Sequence, residues 1–579
     1  MNGNLLDEGA TLGRVLLRRL EEEPDATACW LVGGGGESAR VTVRGLMERA
    51  CAFAARYGPA TGGRKIVAVC LYHGPDLHAA FVGALLAGHV PTMIAPPSPR
   101  MEPAKYTDSF CRMLAHIRPS CVVADGGSLA KLDALALKDF PDSELIDAST
   151  VRDAAAGSET FETFKTRGGD AGEVALLQHS SGTTGLQKGV ALSHRAVLGH
   201  NRAYAERIAL NREDVIVSWL PLYHDMGFVA CFLLPLLARV PFVELSPFDW
   251  VLRPVSLFEQ ISAHRATLCW MPNFAFQFMA DSVRPSQLAG LSLASVRAWV
   301  NCSEPVHHSA HAAFLERFAG HGAREDQLTA SYAMAENVFA VTQSRAGECG
   351  VLGVDRRLFR QEHRVEADES EGALAFVSNG KPVEGTEVSV VDESGRAMPD
   401  GSVGELAIRG EYLVSGSFRR EDLTREALTA DGWYKTGDLG FVLDGEVYVT
   451  GRKTDLIIVQ GRNFYPADVE KVVSGVEGVT PGRVVVFGVP NEKTGTEGLI
   501  VLAESEECEG EGARRLSLRI RNAVAQELDC TPQDVRVVPP RWLVKSTAGK
   551  LARADNRSKY LKNFVEVLGT SPAYVWDPA

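Results

Sequence analysis

The sequence predicts an α/β fold: a large N-terminal domain of mainly parallel sheets with helices plus a β-rich subdomain, and a small α+β C-terminal domain. Three observations carry this. The chain has 579 residues, too long for one ordinary hydrophobic core. Its first third alternates short β-like runs with helical patterns, as βαβ units do. From about Gly380 the texture changes to alternating runs broken by Asp/Gly turns, as in β-hairpins.

The elements follow in order. Gly33–Gly36 is a four-glycine turn joining two apolar runs, so it reads as a strand connection. Lys65–His73 and Cys121–Asp125 are β-like, and Leu46–Gly58 and Asp76–His89 are helical in pattern. Gly157–Glu173 is polar and glycine-bearing and reads as a linker into the run Val174–Ser180. Alternation resumes at Asp214–Leu220, Ala266–Pro272 and Ser295–Cys302. The most apolar stretch, Met226–Ala238, is too short to span a bilayer and reads as core. The predicted boundary lies near Arg452–Asp455, dividing the chain into 1–451 and 452–579. Glu504–Gly512 is acidic and reads as a surface loop.

Hydrophobic content of 45% and charged content of 23% suit a soluble globular protein. A net charge of −13 argues against a nucleic-acid partner, which needs basic patches. The 11 cysteines contain no Cys-x-x-Cys pair and read as reduced, mostly buried small hydrophobes. The N-terminus lacks a basic start followed by an apolar run, so a cytoplasmic protein is expected.

The strongest motif is Ser180-Ser181-Gly182-Thr183-Thr184-Gly185-Leu186-Gln187-Lys188-Gly189, after a β-like run and before a helix candidate. Glycines let backbone amides approach an anion, hydroxyls donate to phosphate oxygens, and Lys188 adds charge. The order is not that of a Walker A loop, because Gln187 precedes Lys188 and no Ser/Thr follows it. This loop resembles the phosphate loop of the adenylate-forming superfamily, which includes acyl-CoA synthetases, adenylation domains and luciferases. Five further segments resemble that superfamily's motifs in the same order: Trp219–Gly227, Ser331–Glu336, Tyr434–Asp438, Gly451–Asp455 and Lys545–Lys550.

The resemblance implies ATP and Mg²⁺ as cofactors and a C-terminal domain that is mobile. A carboxylate attacks the α-phosphorus of ATP and pyrophosphate leaves, so cations should converge on the phosphate oxygens. Lys550 is the candidate that bridges carboxylate and α-phosphate. Glu336 is the candidate Mg²⁺ ligand, a hard oxygen donor. Asp438 suits the ribose hydroxyls, Arg452 ribose or phosphate, and Tyr332 the face of adenine. Ala333, Met334, Ser303 and Glu304 complete the implied nucleotide site, and Thr454 the implied hinge. His224 sits beside Asp225, but adenylation removes no proton from an ionised acid. His224 is therefore expected to shape the carboxylate end of the pocket and the gate for an acceptor thiol. Met226, Phe228, Pro272, Asn273 and Phe274 are the implied acyl pocket.

Within the superfamily the chain most resembles the fatty-acyl-AMP ligase branch. The carriers are Pro221–Gly227, Met271–Phe276, Asn301–Val306 and Gly461–Glu470. The branch implies transfer to an acyl carrier protein. Arg345–Ala375 is either an extra element of the branch or an ordinary loop. The chain departs from the pattern at Gln187, Cys302, Ser303 and Thr454. Asp249 precedes a helical run rather than a pocket motif, so an α-amino acid is a weaker expectation than a fatty or simple carboxylic acid. An acyl-CoA synthetase, a non-catalytic adenylate-binding module and a luciferase-like oxygenase are the alternatives.

Overall fold

The computed structural model describes residues 9–566 except 61–62, 98–102, 129–139, 141, 154–168, 181–187, 371, 415–417, 420–424, 426, 460–461, 492–495, 529 and 547–548. Among these residues two large sheets dominate the first part of the chain. The nine-stranded sheet runs in the order Lys381–Pro382, Ala340–Gln343, Leu328–Ala333, Ala298–Cys302, Leu268–Met271, Ile216–Ser218, Phe242–Glu244, Thr27–Val32, Ser38–Thr42. From Leu328–Ala333 to Thr27–Val32 neighbouring strands are parallel. A six-stranded sheet has the order Glu144–Asp147, Cys121–Ala124, Ile66–Cys70, Val90–Met93, Val174–Ser180, Lys188–Ser193, antiparallel only in its last pair. These strands read as near-continuous apolar runs because helices cover parallel sheets on both faces.

Two expectations need correction here. The chain after the Ser180–Gly189 motif does not pass directly into a helix. Lys188–Ser193 first forms a strand paired with Val174–Ser180, and the helix His194–Arg207 starts only where the Ser193 hydroxyl accepts from Ala196 N. Glu504 is not on a surface loop. It ends the strand Thr496–Glu504, is 1% exposed, accepts from Leu543 N and pairs with Arg483.

The four-glycine segment is the hairpin turn between Thr27–Val32 and Ser38–Thr42, with Gly36 at φ +94. Met226–Ala238 is helical and entirely buried. Its first part, Met226–Leu233, is wound wider than an α-helix and its second, Leu234–Ala238, is α-helical. Gly227 is required at its start: a Cβ there would lie 2.5 Å from Pro221 O.

The β-rich texture after Gly380 becomes a four-stranded antiparallel sheet of Thr386–Val391, Gly404–Gly410, Tyr434–Leu443 and Glu446–Arg452. Arg345–Ala375 is no simple loop. It holds the strand Val351–Val354, paired with Leu374–Val377, and the helix Arg356–Gln361, whose Phe359 packs on Phe376, Phe441 and Tyr465. Beyond Lys453–Asp455, a turn of 3-10 helix, two hydrophobic clusters draw only on residues after 456. They pack the helices Pro466–Ser474, Gly510–Leu528 and Arg553–Tyr560 on a three-stranded sheet. Among the described residues no helix is long and apolar enough to cross a membrane.

Burial holds several histidines neutral: it pushes His179, His194, His200, His307 and His311 down to about 4. In the unfolded chain each titrates near ~6.5. Between these values the unfolded state binds more protons, so stability falls as pH drops from about 6.5 toward about 4. Urea midpoints measured across that interval should decline steadily, and the His200→Leu variant should decline less steeply. A flat profile would contradict the burial of these rings.

Candidate active site

The parallel strands of the large sheet set the site. Loops leaving their C-terminal ends lie side by side, where ligands of α/β sheets bind. Ile216–Ser218 leads to the Trp219–Asp225 loop, and Leu268–Met271 to Pro272 and the helix Asn273–Ser282. Ala298–Cys302 leads to Ser303 and Glu304, and Leu328–Ala333 to Met334 and the turn Ala335–Asn337. The candidates from four distant motifs thus share one edge.

Lys550 meets this edge from the far end of the chain. Its Nζ donates to Ser303 O across 247 residues of sequence. Asp225 and Glu304 lie close enough for the lysine to act on both. Burial raises both carboxyls, and the Lys550 charge pulls each back down. Asp225 Oδ1 accepts from Met226 N at 2.8 Å, and Glu304 Oε2 from Phe274 N at 3.0 Å. Ser303 holds φ +72, a left-handed conformation that costs a non-glycine residue about 1 kcal/mol. The segment before Lys550 also reaches Phe274: Lys545 Nζ stands 5.7 Å from the centre of its ring.

Tyr332 and Asp438 form one unit. The Tyr332 hydroxyl donates to Asp438 Oδ2 at 2.6 Å, and Arg452 Nε lies 3.3 Å from Asp438 Oδ1. Asp438 and Arg452 are direct partners on neighbouring strands, which explains how separate motifs meet. Burial raises the Asp438 carboxyl, and Arg452 opposes it. Tyr332 is 7% exposed and packs in the core of the antiparallel sheet, beside Met334, with Ala333 half-buried next to it.

His224 is half-buried on the Trp219–Asp225 loop, edge-on to Tyr223 at 4.9 Å. Of the implied acyl-pocket residues, Met226 is buried with its sulfur 3.8 Å from Ser303 Oγ. Phe228 packs edge-on against Phe81 at 5.1 Å. Pro272 caps the helix whose Asn273 Oδ1 accepts from Asn301 Nδ2 and His307 N. Phe274 stands edge-on to Trp219, which stacks on Trp250 at 3.5 Å. Thr454 lies in the 3-10 turn Lys453–Asp455.

Ser181, Gly182, Thr183, Thr184 and Gly185 lie outside the described residues. Ser180 and Lys188 pair across the strands that flank them. Glu336 is a half-buried carboxylate on the turn Ala335–Asn337, whose carbonyl accepts from Val414 N. Among the described residues no group of three or more His, Cys, Asp or Glu could hold a metal alone. One accessible carboxylate is the donor set that suits Mg²⁺, which keeps waters and shares phosphate oxygens. The residues therefore fit the ion.

Asp225 was not among the expected site residues, although the Lys550 charge acts on it as it does on Glu304. Its signal was its adjacency to His224, and the structure makes it the half-buried N-cap of the wide helix that begins at Met226. Ser246–Trp250 leads into the helix Pro247–Leu252, and Ser246, Phe248 and Asp249 border a cleft of about 600 Å³.

Comparison with known proteins identifies the family. The AMP-binding enzyme family matches residues 16–418. The chain is 26% identical to a medium-chain-fatty-acid acyl-carrier-protein ligase of Teredinibacter turnerae, over 98% of this chain and 96% of that one. It is 30% identical to 4-hydroxyphenylalkanoate adenylyltransferase of Mycobacterium tuberculosis, over 86% and 82%. A structure from work on fatty acyl-adenylate ligases of E. coli and L. pneumophila superposes with a TM-score of 0.87 at 26% identity, covering 97% of this chain and 100% of that one. The chain belongs to the AMP-binding enzymes, the adenylate-forming superfamily, in its fatty-acyl-AMP ligase branch.

Proposed function

We propose that this ligase activates a fatty or related carboxylic acid as its acyl-adenylate and passes the acyl group to the phosphopantetheine thiol of an acyl carrier protein. One observation carries the reading: Lys550 Nζ, supplied by the last part of the chain, donates to Ser303 O, where its charge acts on both Asp225 and Glu304. The acid's carboxylate oxygen bonds to the α-phosphorus while the bond to the bridging oxygen breaks and pyrophosphate leaves. Lys550 neutralises charge on the α-phosphate as it develops. The Tyr332–Asp438–Arg452 unit orients the nucleoside, with Asp438 toward the ribose hydroxyls. The backbone amides of the Ser180–Gly189 loop and Lys188 hold the leaving phosphates. Glu336 would hold Mg²⁺, which screens the phosphate charge when bound. His224 shapes the carboxylate end of the pocket. Residues 1–451 form the nucleotide- and acid-binding domain and 452–579 a lid that turns about Thr454. The thiolate then attacks the acyl carbon and AMP leaves.

The acyl-carrier acceptor is supported by the relative named for that reaction, and a reducing, ATP-containing cytoplasm by eleven free cysteines. Lys550→Ala should lower acid-dependent ATP–pyrophosphate exchange by about a hundredfold or more. Exchange at full speed would remove the lysine from the site. Tyr332→Phe should raise KM for ATP several-fold with little change in kcat, since it loosens Asp438 without touching the reacting atoms. Mass spectrometry after offering both acceptors should find the acyl group on a phosphopantetheinylated carrier protein. Acyl-CoA as the sole product would establish the CoA-using alternative.

A further inference from the structure

The cleft of about 600 Å³ beside the site has a built floor. It is bordered by Val32, Gly34, Tyr72, His73, Phe248 and Glu244. Glu244 is 4% exposed, and its Oε2 lies 2.9 Å from His78 Nε2. Its other oxygen, Oε1, is buried without a hydrogen-bond partner among the described residues. A buried carboxylate oxygen left unpaired costs on the order of 1–3 kcal/mol, and a donor reaching it recovers that cost. Burial would lower His78, but Glu244 and Cys29 together outweigh it and raise the ring to about 10, so His78 and Glu244 form an ion pair of no net charge. Burial keeps His73 neutral. The floor therefore favours a neutral donor, a hydroxyl or phenol, over a cation, and the walls are largely apolar.

The cleft adjoins the reaction site. Phe242–Glu244 neighbours Ile216–Ser218 in the sheet, and Glu244 pairs with Ser218 just before the His224 loop. His73 Nε2 lies 3.1 Å from Leu220 O on that loop. Three strand spacings separate the strand that carries Ser303 from the strand of Glu244, which puts them roughly 15 Å apart, the span of an extended chain of about a dozen carbons.

We propose that this cleft receives the far end of the acyl chain, and that Glu244 Oε1 selects acids whose far end carries a hydroxyl. This rests on the acid-activating reading above and names the class of acid. ATP–pyrophosphate exchange is measured with straight-chain acids of about eight to sixteen carbons and their terminally hydroxylated counterparts. Near the optimal length the hydroxylated acid should show a KM about tenfold lower. Glu244→Gln, which keeps the shape but removes the charge, should shrink that ratio to about threefold or less while leaving KM for the plain acid unchanged. Gly34→Leu is a change on an exposed turn where a Cβ would meet Asp249 Oδ2 at an ordinary contact distance of 3.9 Å. It should abolish the preference and shorten the optimal chain without affecting a short plain acid, and it answers the question should Glu244→Gln fail to fold. Equal KM values in the wild type, or a preference untouched by both variants, overturns the proposal. Exchange with no acid of either series would instead refute the acid-activating reading itself.

Discussion

A single cation reaching across the molecule organises the site. Lys550 enters a pit beside Asp225 and Glu304, both half-buried, where loss of solvent raises each carboxyl. Two carboxylates buried together would be costly without a counter-charge, and the lysine supplies one. Each carboxylate is also tied to backbone: Asp225 to Met226 N, Glu304 to Phe274 N. Placing the lysine therefore aligns the start of the buried helix and the start of the Asn273–Ser282 helix at once. The left-handed turn at Ser303 is the local consequence, since it turns the carbonyl to the ammonium.

The large sheet makes such convergence possible. Parallel strands deliver successive loops to one edge, so residues from widely spaced segments become neighbours without any of them being adjacent in sequence. The stacked Trp219 and Trp250 join the loop beside the lysine to the segment that borders the Glu244 cleft.

The end of the chain is held against the rest by polar contacts and by the packing of Tyr465 and Leu456 in the cluster around Phe359 and Phe441. Arg356 Nη1 donates to Glu527 O at 2.9 Å, Arg360 lies 3.5 Å from Asp468, and Lys453 Nζ lies 2.9 Å from Glu405. Arg553 spans Asp455 and Glu470 within the last part of the chain. Arg360 and Asp468 are largely shielded from water, whereas Lys453 is half exposed, so the two ion pairs are screened to different degrees.

By itself the sequence determined what can be written in a few contiguous residues. The alternating strand and helix runs, the glycine hairpin, the buried Met226–Ala238 segment and the ordered motifs are all local patterns whose chemistry is carried by neighbouring side chains. It misjudged Lys188–Ser193, where pairing with Val174–Ser180 overrides the helix pattern, and Glu504, whose charge is matched by Arg483 in the interior. Tertiary structure alone decided which distant groups share a proton or a field: Tyr332 with Asp438 across 106 residues, His78 with Glu244 across 166, Lys550 with Ser303 across 247. The physical reason is that burial and Coulomb interaction depend on distance in space. A carboxylate at Glu244 or Asp225 reads the same in sequence whether it faces water, a histidine or a lysine, and only the folded sheet edge chooses among them.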